Sequence, residues 1–468
     1  MDGVDNPDVV QALVDALGSD LVQTASIDHR FSGDWSSVAH IEPKAVVLPR
    51  TTNDVSLALA ICNDYRQPVV TQGGLTGLAG GATPRLGDVV INVERMAGVV
   101  EIDRDAATIT VWAGTTLQAA QDAANAAGLE LTLDLGARGS CHIGGNVATN
   151  AGGNRVIRYG MARDHVLGLE AVLADGTVVS SMNKMIKNNA GYDVKQYFIG
   201  SEGTLGIITR VVLRLRPAPR SRTTMLCACP DYESVIALLQ LVQNRTSGLS
   251  AFEVMWPHFY RFVSSARGVV PPVAITTGMA VLVEVSGDDP DADERRIEHL
   301  LTAAIHAGHI VDAYLATSAK DVADMWTIRE AEPIDRLPSV INFDVSIEIG
   351  QIGHFATECE RRLLAQWPAA DIFLFGHIGD SNLHLSMSVG PADEHLVHLV
   401  DEVVYNAVRE WGGSVSAEHG IGVLKRDYLS YSRSAAELDV MLRIKRALDP
   451  HGIMNPDKVL ASPARPAV

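Results

Sequence analysis

The chain has no block of lysine and arginine: 38 basic residues stand against 56 acidic ones, a formal net charge of −18 over 468 residues. An anionic surface repels phosphodiester backbones, so nucleic acid is not expected as a partner. Cysteine is scarce. Its five positions, Cys62, Cys141, Cys227, Cys229 and Cys359, include no CxxC pair. An odd count leaves at least one thiol unpaired within the chain, which fits a reducing compartment, and the spacing cannot ligate an iron-sulfur cluster. No run of about 18 uncharged apolar residues occurs, which argues against a transmembrane segment. The first residues, MDGVDNPDVVQALVDAL, lack the basic and apolar regions of a secretory leader and are too acidic for a mitochondrial transit peptide. A cytoplasmic protein is expected. A GxxxxGK[ST] phosphate loop is also missing, which weakens a Walker-type nucleotide site.

What is present is a soluble globular composition, 47% hydrophobic and 20% charged. At about 150 residues per domain the length allows two or three domains. Residues 45–71 read as strand, helix, strand, with Thr52 or Asn53 as the helix cap. The loop QGGLTGLAGGATP (72–84) follows, with glycines at 73, 74, 77, 80 and 81. It succeeds a second strand and leads to a third, without GxGxxG spacing, so it is not a Rossmann fingerprint. Its backbone N–H groups suit an anion such as a pyrophosphate, and a glycine-rich surface turn is the alternative. Two more glycine-rich segments follow, LDLGARGSCHIGGNVATNAGGNRVIRYG (133–160) and FIGSEGTLGIIT (198–209). Three such segments in one stretch are hard to explain as turns alone. They suit the close lining of a flat, polar-edged cofactor.

Further on, DIFLFGHIGDSNLHLSMSV (371–389) reads as strand, turn, strand. On one uninterrupted strand His377 and His384, seven apart, would face opposite sides. The intervening turn can bring them together, as a divalent ion such as zinc would need. The spacing alone leaves a structural role standing. SVSAEHGIG adds the adjacent Glu418 and His419.

QGGLTGLAGG, GSCHIGGNVATNAGG, GYDVKQYFIGSEGTLGIIT, HIGDSNLH, SAEHGIG and LDPHGIMNP, in that order, resemble the FAD-linked D-2-hydroxy-acid dehydrogenases of the vanillyl-alcohol-oxidase fold. The D-2-hydroxyglutarate dehydrogenase branch is the nearest, with D-lactate and glycolate dehydrogenases as cousins. The resemblance implies an α+β chain: a PCMH-type FAD-binding domain (1–226), a mixed sheet-and-helix substrate or cap domain (227–404) and a C-terminal helical segment (405–468) completing the active site. LRLRPAPRSRTT (213–224) clusters prolines and arginines as a linker would, in agreement with the first boundary.

By the same resemblance, FAD is held by Gly73, Gly74, Leu75, Thr76 and Gly77, by Ser140, Gly144, Asn146, Thr149 and Gly152, and by Glu202, Gly203 and Ile207. The flavin is expected to be non-covalent, since the first loop offers neither histidine nor cysteine. His377, His384 and Glu418 are implied to hold a divalent metal, with zinc the expected ion. His419 is implied as general base for the substrate hydroxyl, whose pKa a metal lowers from about 15.7 towards neutrality. Hydride then passes from C2 to flavin N5 and a 2-oxo acid results. Arg329 is implied to grip the substrate carboxylate through its planar fork, the alternative being a surface pair with a neighbour such as Glu330.

Three positions depart from the 2-hydroxyglutarate branch. Asn342-Phe343-Asp344 stands for its Lys-Tyr-Asp, Pro333 for a threonine, and Ser386 for an asparagine. Losing the lysine removes a charge that could meet a carboxylate, so an altered substrate side chain is expected, with Asn342 and Ser386 as substrate-binding positions. Other readings are a D-lactate or glycolate dehydrogenase, the flavin subunit of a multi-component oxidase, or a metal-dependent hydrolase, which leaves the glycine segments unexplained. The expected partners are a small 2-hydroxy acid, an external electron acceptor (flavoprotein, quinone or cytochrome) and a second copy of the chain in a homodimer.

Overall fold

The structure, a computed structural model, describes residues 8–461. The chain divides into two compact units, one of residues up to 153, 160–218 and from 418 onward, the other of residues 154–159 and 219–417.

In the first unit the expected strand, helix and strand are Ala45–Val47, Thr52–Asp64 and Val69–Gln72. The helix cap is Thr51, not Thr52 or Asn53. The Thr51 hydroxyl accepts from Asp54 N–H and the Asp54 carboxylate accepts from Thr51 N–H, a reciprocal pair that only the Thr51–Asp54 spacing permits. Ala45–Val47 and Val69–Gln72 flank Val89–Asn92 in parallel, and Val22–Gln23 adds an antiparallel edge. A second sheet is antiparallel, in the order Val99–Asp103, Thr108–Trp112, Ile207–Arg214, Val166–Val172, Val178–Ser181. One apolar core serves both, running from Leu59 and Ile91 to Val111 and Val211. The C-terminal segment is built into it: Ile453 and Met454 are fully buried there, and Met454 bridges Val69.

The second unit is a seven-stranded antiparallel sheet in the order Asp312–Leu315, Ser221–Cys229, Met279–Gly287, Leu249–Met255, Asp371–His377, Asn382–Ser388, Ile341–Ser346. The units part at 218/219 and 417/418, against the expected 226/227 and 404/405, and sheet pairing is the reason. Ser221–Cys229 pairs along its whole length with Met279–Gly287, which ties residues 221–229 to this sheet. At the other end Tyr405 packs edge-on against Phe343, and Ser414 bridges Ser346.

Strand register places alternate residues on one face. Leu226, Leu282, Met255, Phe375 and Phe373 form the apolar part of one such face, packed beneath helices Pro257–Arg267 and Ala319–Arg329 through Phe259, Tyr260, Met325 and Ile328. The same face continues as Glu253 and His377, then His384 and Ser386, then Asp344 and Asn342, each opposite its neighbour in the ladder.

Candidate active site

In the first unit, the amides of Gly74, Leu75, Thr76 and Gly77 donate no hydrogen bond among the described residues. Leu75 has φ +61°, the left-handed conformation from which successive N–H groups can form an anion-binding nest. Gly74 packs so tightly on Ser140 that a Cβ would overlap the Ser140 carbonyl oxygen, and Gly73 lies against the His142 ring. Ser140 therefore contributes backbone to the floor of the loop. Behind it runs the short helix Ile143–Ala148. Gly144 allows it to approach Ala113, Asn146 is buried beside Cys141, and the Thr149 hydroxyl donates to Gly145. His142 Nδ1 is buried with no hydrogen-bond partner among the described residues, and burial holds its pKa below the usual imidazole value. Unused amides around a left-handed turn, with a buried neutral imidazole nearby, fit the pyrophosphate and polar edges of FAD.

Gly203 adopts φ +71° against Thr71, and Ile207 is fully buried at the start of its strand. Glu202 turns to the C-terminal loop: its carboxylate accepts from Ile421 N–H at 2.7 Å and Gly422 N–H at 2.8 Å. Burial raises its pKa and the two N–H bonds oppose that rise. The same loop carries Glu418 and His419. Glu418 Oε1 accepts from Gly153 N–H at 2.6 Å, and a Cβ on Gly152 would overlap that oxygen. Gly152 thus makes room for the Glu418 carboxylate.

In the second unit the hairpin Asp371–His377/Asn382–Ser388 forms around a 3-10 turn, with Ser381 at φ +75°. The two imidazoles meet there. Their centroids are 5.3 Å apart at 82°, and a ligand nitrogen of each lies within 4.8 Å of the other. His377 Nδ1 is 2.7 Å from Glu253 Oε1, and Arg329 Nε donates to Glu253 Oε2 at 2.6 Å. Arg329 therefore pairs with Glu253, not with its neighbour Glu330. It is buried, its guanidinium lies 4.8 Å from the Phe375 ring centroid, and Nη2 has no hydrogen-bond partner among the described residues. A buried guanidinium edge without an acceptor suits an incoming carboxylate. Burial works to raise the pKa of Glu253, but His377 and Arg329 outweigh it and hold the carboxyl below its ordinary value.

Glu253 drew no attention in the sequence. The available signal was a lone acid in the apolar run LSAFEVM. Asp344, opposite His384, accepts from Ser416 Oγ and Ala417 N–H, both at 3.1 Å. The exposed Asn342 accepts from buried Ser386 Oγ at 2.6 Å.

Residues 43–181 match the FAD binding domain model, and residues 218–459 match the C-terminal domain of FAD linked oxidases. A mitochondrial D-2-hydroxyglutarate dehydrogenase of Arabidopsis thaliana is 38% identical over 431 residues, 91% of this chain and 77% of that protein. The chain belongs to the FAD-linked D-2-hydroxy-acid dehydrogenases. Another member of this family, D-2-hydroxyglutarate dehydrogenase of Xanthomonas citri pv. viticola, is 36% identical over 444 residues, 93% of each chain. The fold is that of p-cresol methylhydroxylase, with a TM-score of 0.79 at 16% identity over 97% of this chain and 96% of that one. Alkyldihydroxyacetonephosphate synthase shares it at a TM-score of 0.75 and 16% identity, over 97% and 87%. The enzyme is thus an FAD-linked oxidoreductase of the PCMH-type fold, and no described helix is long and apolar enough to cross a membrane.

Proposed function

We propose that this dehydrogenase oxidises a D-2-hydroxy acid to its 2-oxo acid with non-covalent FAD and a divalent ion, zinc by its ligand chemistry, held by His377, His384 and Glu418. The observation that carries the reading is the His377–His384 pair, with Glu253 taking the Nδ1 side of His377. A carboxylate on one ring nitrogen is the usual support of a metal-ligating histidine. Chain continuity supports the third ligand: Ala417 N–H is bonded to Asp344, the ladder partner of His384, and Glu418 is the next residue, about 3.8 Å further by Cα.

When bound, FAD supplies a hydride acceptor at N5 and the ion supplies Lewis acidity towards the substrate hydroxyl. The chain contributes the rest. Arg329 binds the substrate carboxylate through its Nη edge, and His419, in the loop held by Glu202, takes the hydroxyl proton. The hydrogen bond between Asn342 and Ser386 supports a substrate side chain different from that of 2-hydroxyglutarate, because neither residue offers a cation to a second carboxylate. We further propose a cytoplasmic enzyme that passes electrons to an external flavoprotein, quinone or cytochrome. All five cysteines are buried thiols, and burial pushes those of Cys62, Cys227 and Cys359 up to about 12. Sedimentation tests the expected homodimer.

Anaerobic bleaching of the visible flavin band by R- and S-2-hydroxy acids, with and without chelator, tests the reaction. Bleaching by R-acids alone, lost on metal removal and restored by zinc, is expected. Bleaching indifferent to complete metal removal refutes the metal set. Turnover dominated by orders of magnitude by D-2-hydroxyglutarate refutes the altered side chain.

A further inference from the structure

Glu253 sits mid-strand in LSAFEVM and is fully buried. A carboxylate taken out of water is strongly disfavoured unless charged or hydrogen-bonding partners compensate it. Here both oxygens are used, and they go to different functional groups: Oε1 to His377 Nδ1, Oε2 to Arg329 Nε. A carboxylate ion-paired with a guanidinium only accepts, so the hydrogen that His377 shares with Oε1 resides on Nδ1 and the lone pair on Nε2. On the other side, Nε is consumed by Glu253 and one flank of the guanidinium by the Phe375 ring, which leaves Nη2 buried with no hydrogen-bond partner among the described residues. Two strands and one helix terminus converge on this single carboxylate through ladder register and the packing of helix Ala319–Arg329.

We propose that Glu253 is a positioning residue that serves two subsites at once: it fixes the tautomer and aim of the metal ligand His377 and the orientation of the substrate-carboxylate arginine Arg329. Its partners make it a rigid link, so the distance between ion and carboxylate grip is set by one side chain. This rests on the functional reading above.

Glu253→Gln tests it. Glutamine keeps the shape but offers one acceptor and one donor, so its amide must oppose either His377 Nδ1–H or Arg329 Nε–H. In the flavin-loaded enzyme, zinc affinity measured by chelator competition is expected to fall about 10- to 100-fold, the range for lost outer-shell partners of metal ligands. KM for the best 2-hydroxy acid is expected to rise at least tenfold, with a smaller change in kcat once zinc is saturating. Arg329→Lys, which keeps the charge on Glu253 but loses the fork, should raise KM while leaving zinc affinity within twofold. Wild-type protein that binds no divalent ion overturns the functional reading itself. Wild-type protein that binds zinc, with a Glu253→Gln variant equal to it in zinc affinity and KM and altered only in thermal midpoint, overturns the positioning role alone. If Glu253→Gln does not fold, cobalt-loaded wild-type enzyme decides: a slowly exchanging, paramagnetically shifted imidazole N–H, lost in His377→Gln, is expected from the Nδ1–H sheltered by Glu253. Absence of that signal overturns the proposal.

Discussion

Replacing Glu202 with glutamine separates two jobs for one side chain. The resemblance makes Glu202 a flavin-binding residue, whereas its carboxylate is spent on Ile421 N–H and Gly422 N–H, two and three residues beyond His419. Glutamine retains one acceptor and turns an NH2 group towards the other N–H. One charge-assisted bond is lost, worth about 1.5–3 kcal/mol. If the observed loop arrangement is the one in which His419 reacts, that loss sets a ceiling of about 10- to 150-fold on the fall in rate, at 1.36 kcal/mol per tenfold. The assay is stopped-flow flavin reduction by the best R-2-hydroxy acid, alongside the flavin-to-protein absorbance ratio of the purified variant. The expected result is a full complement of flavin reduced at least several-fold more slowly. A variant purified without flavin would show that Glu202 holds the cofactor directly, and one with full flavin and full rate would show that the loop does not need it; either refutes the reasoning.

Two other outcomes follow from the geometry. His165 is buried, Nε2 has no hydrogen-bond partner among the described residues, and burial lowers its pKa from 6.5 to about 4. The unfolded chain takes up this proton first as pH falls, so stability declines below pH 6.5 and the decline levels off near 4; between pH 7 and 5 it amounts to about 2 kcal/mol. His165→Asn, which deletes the titration, should lose about 5 °C less in thermal midpoint over that interval than wild type, and parallel pH profiles would contradict this. Asn342→Lys breaks the bond to Ser386 and installs a cation at an exposed position. It should raise kcat/KM for D-2-hydroxyglutarate relative to D-lactate about fivefold, as a partly exposed ion pair of about 1 kcal/mol allows, and an unchanged ratio would remove Asn342 from the substrate site.

Local pattern carried much of this molecule. Glycine at 73, 74 and 77 announces a backbone that must approach a ligand, because no other residue tolerates such contacts as the one between Gly74 and the Ser140 carbonyl. Alternating apolar residues about Gly379-Asp380-Ser381 announce a hairpin, and the hairpin is what lets His377 and His384 meet. The helix cap missed by one residue because the deciding partner, Asp54, acts through a side chain three positions on. The compact units part at 218/219, inside the proline- and arginine-rich stretch 213–224, and at 417/418, where the bridge between Ser414 and Ser346 keeps the preceding residues with the sheet.

The sequence by itself determined the chemistry available: which segments can cradle an anion, which turn can pair two histidines, and which arginine can meet a carboxylate. Only the tertiary structure decided who supports them. Glu253 faces His377 through ladder register between strands 124 residues apart, and Glu202 reaches Ile421 across 219 residues. Such partners carry no local periodicity, since their nearness follows from the order in which strands are laid side by side and from helices packed over them, and one residue of register would turn Glu253 to the opposite face.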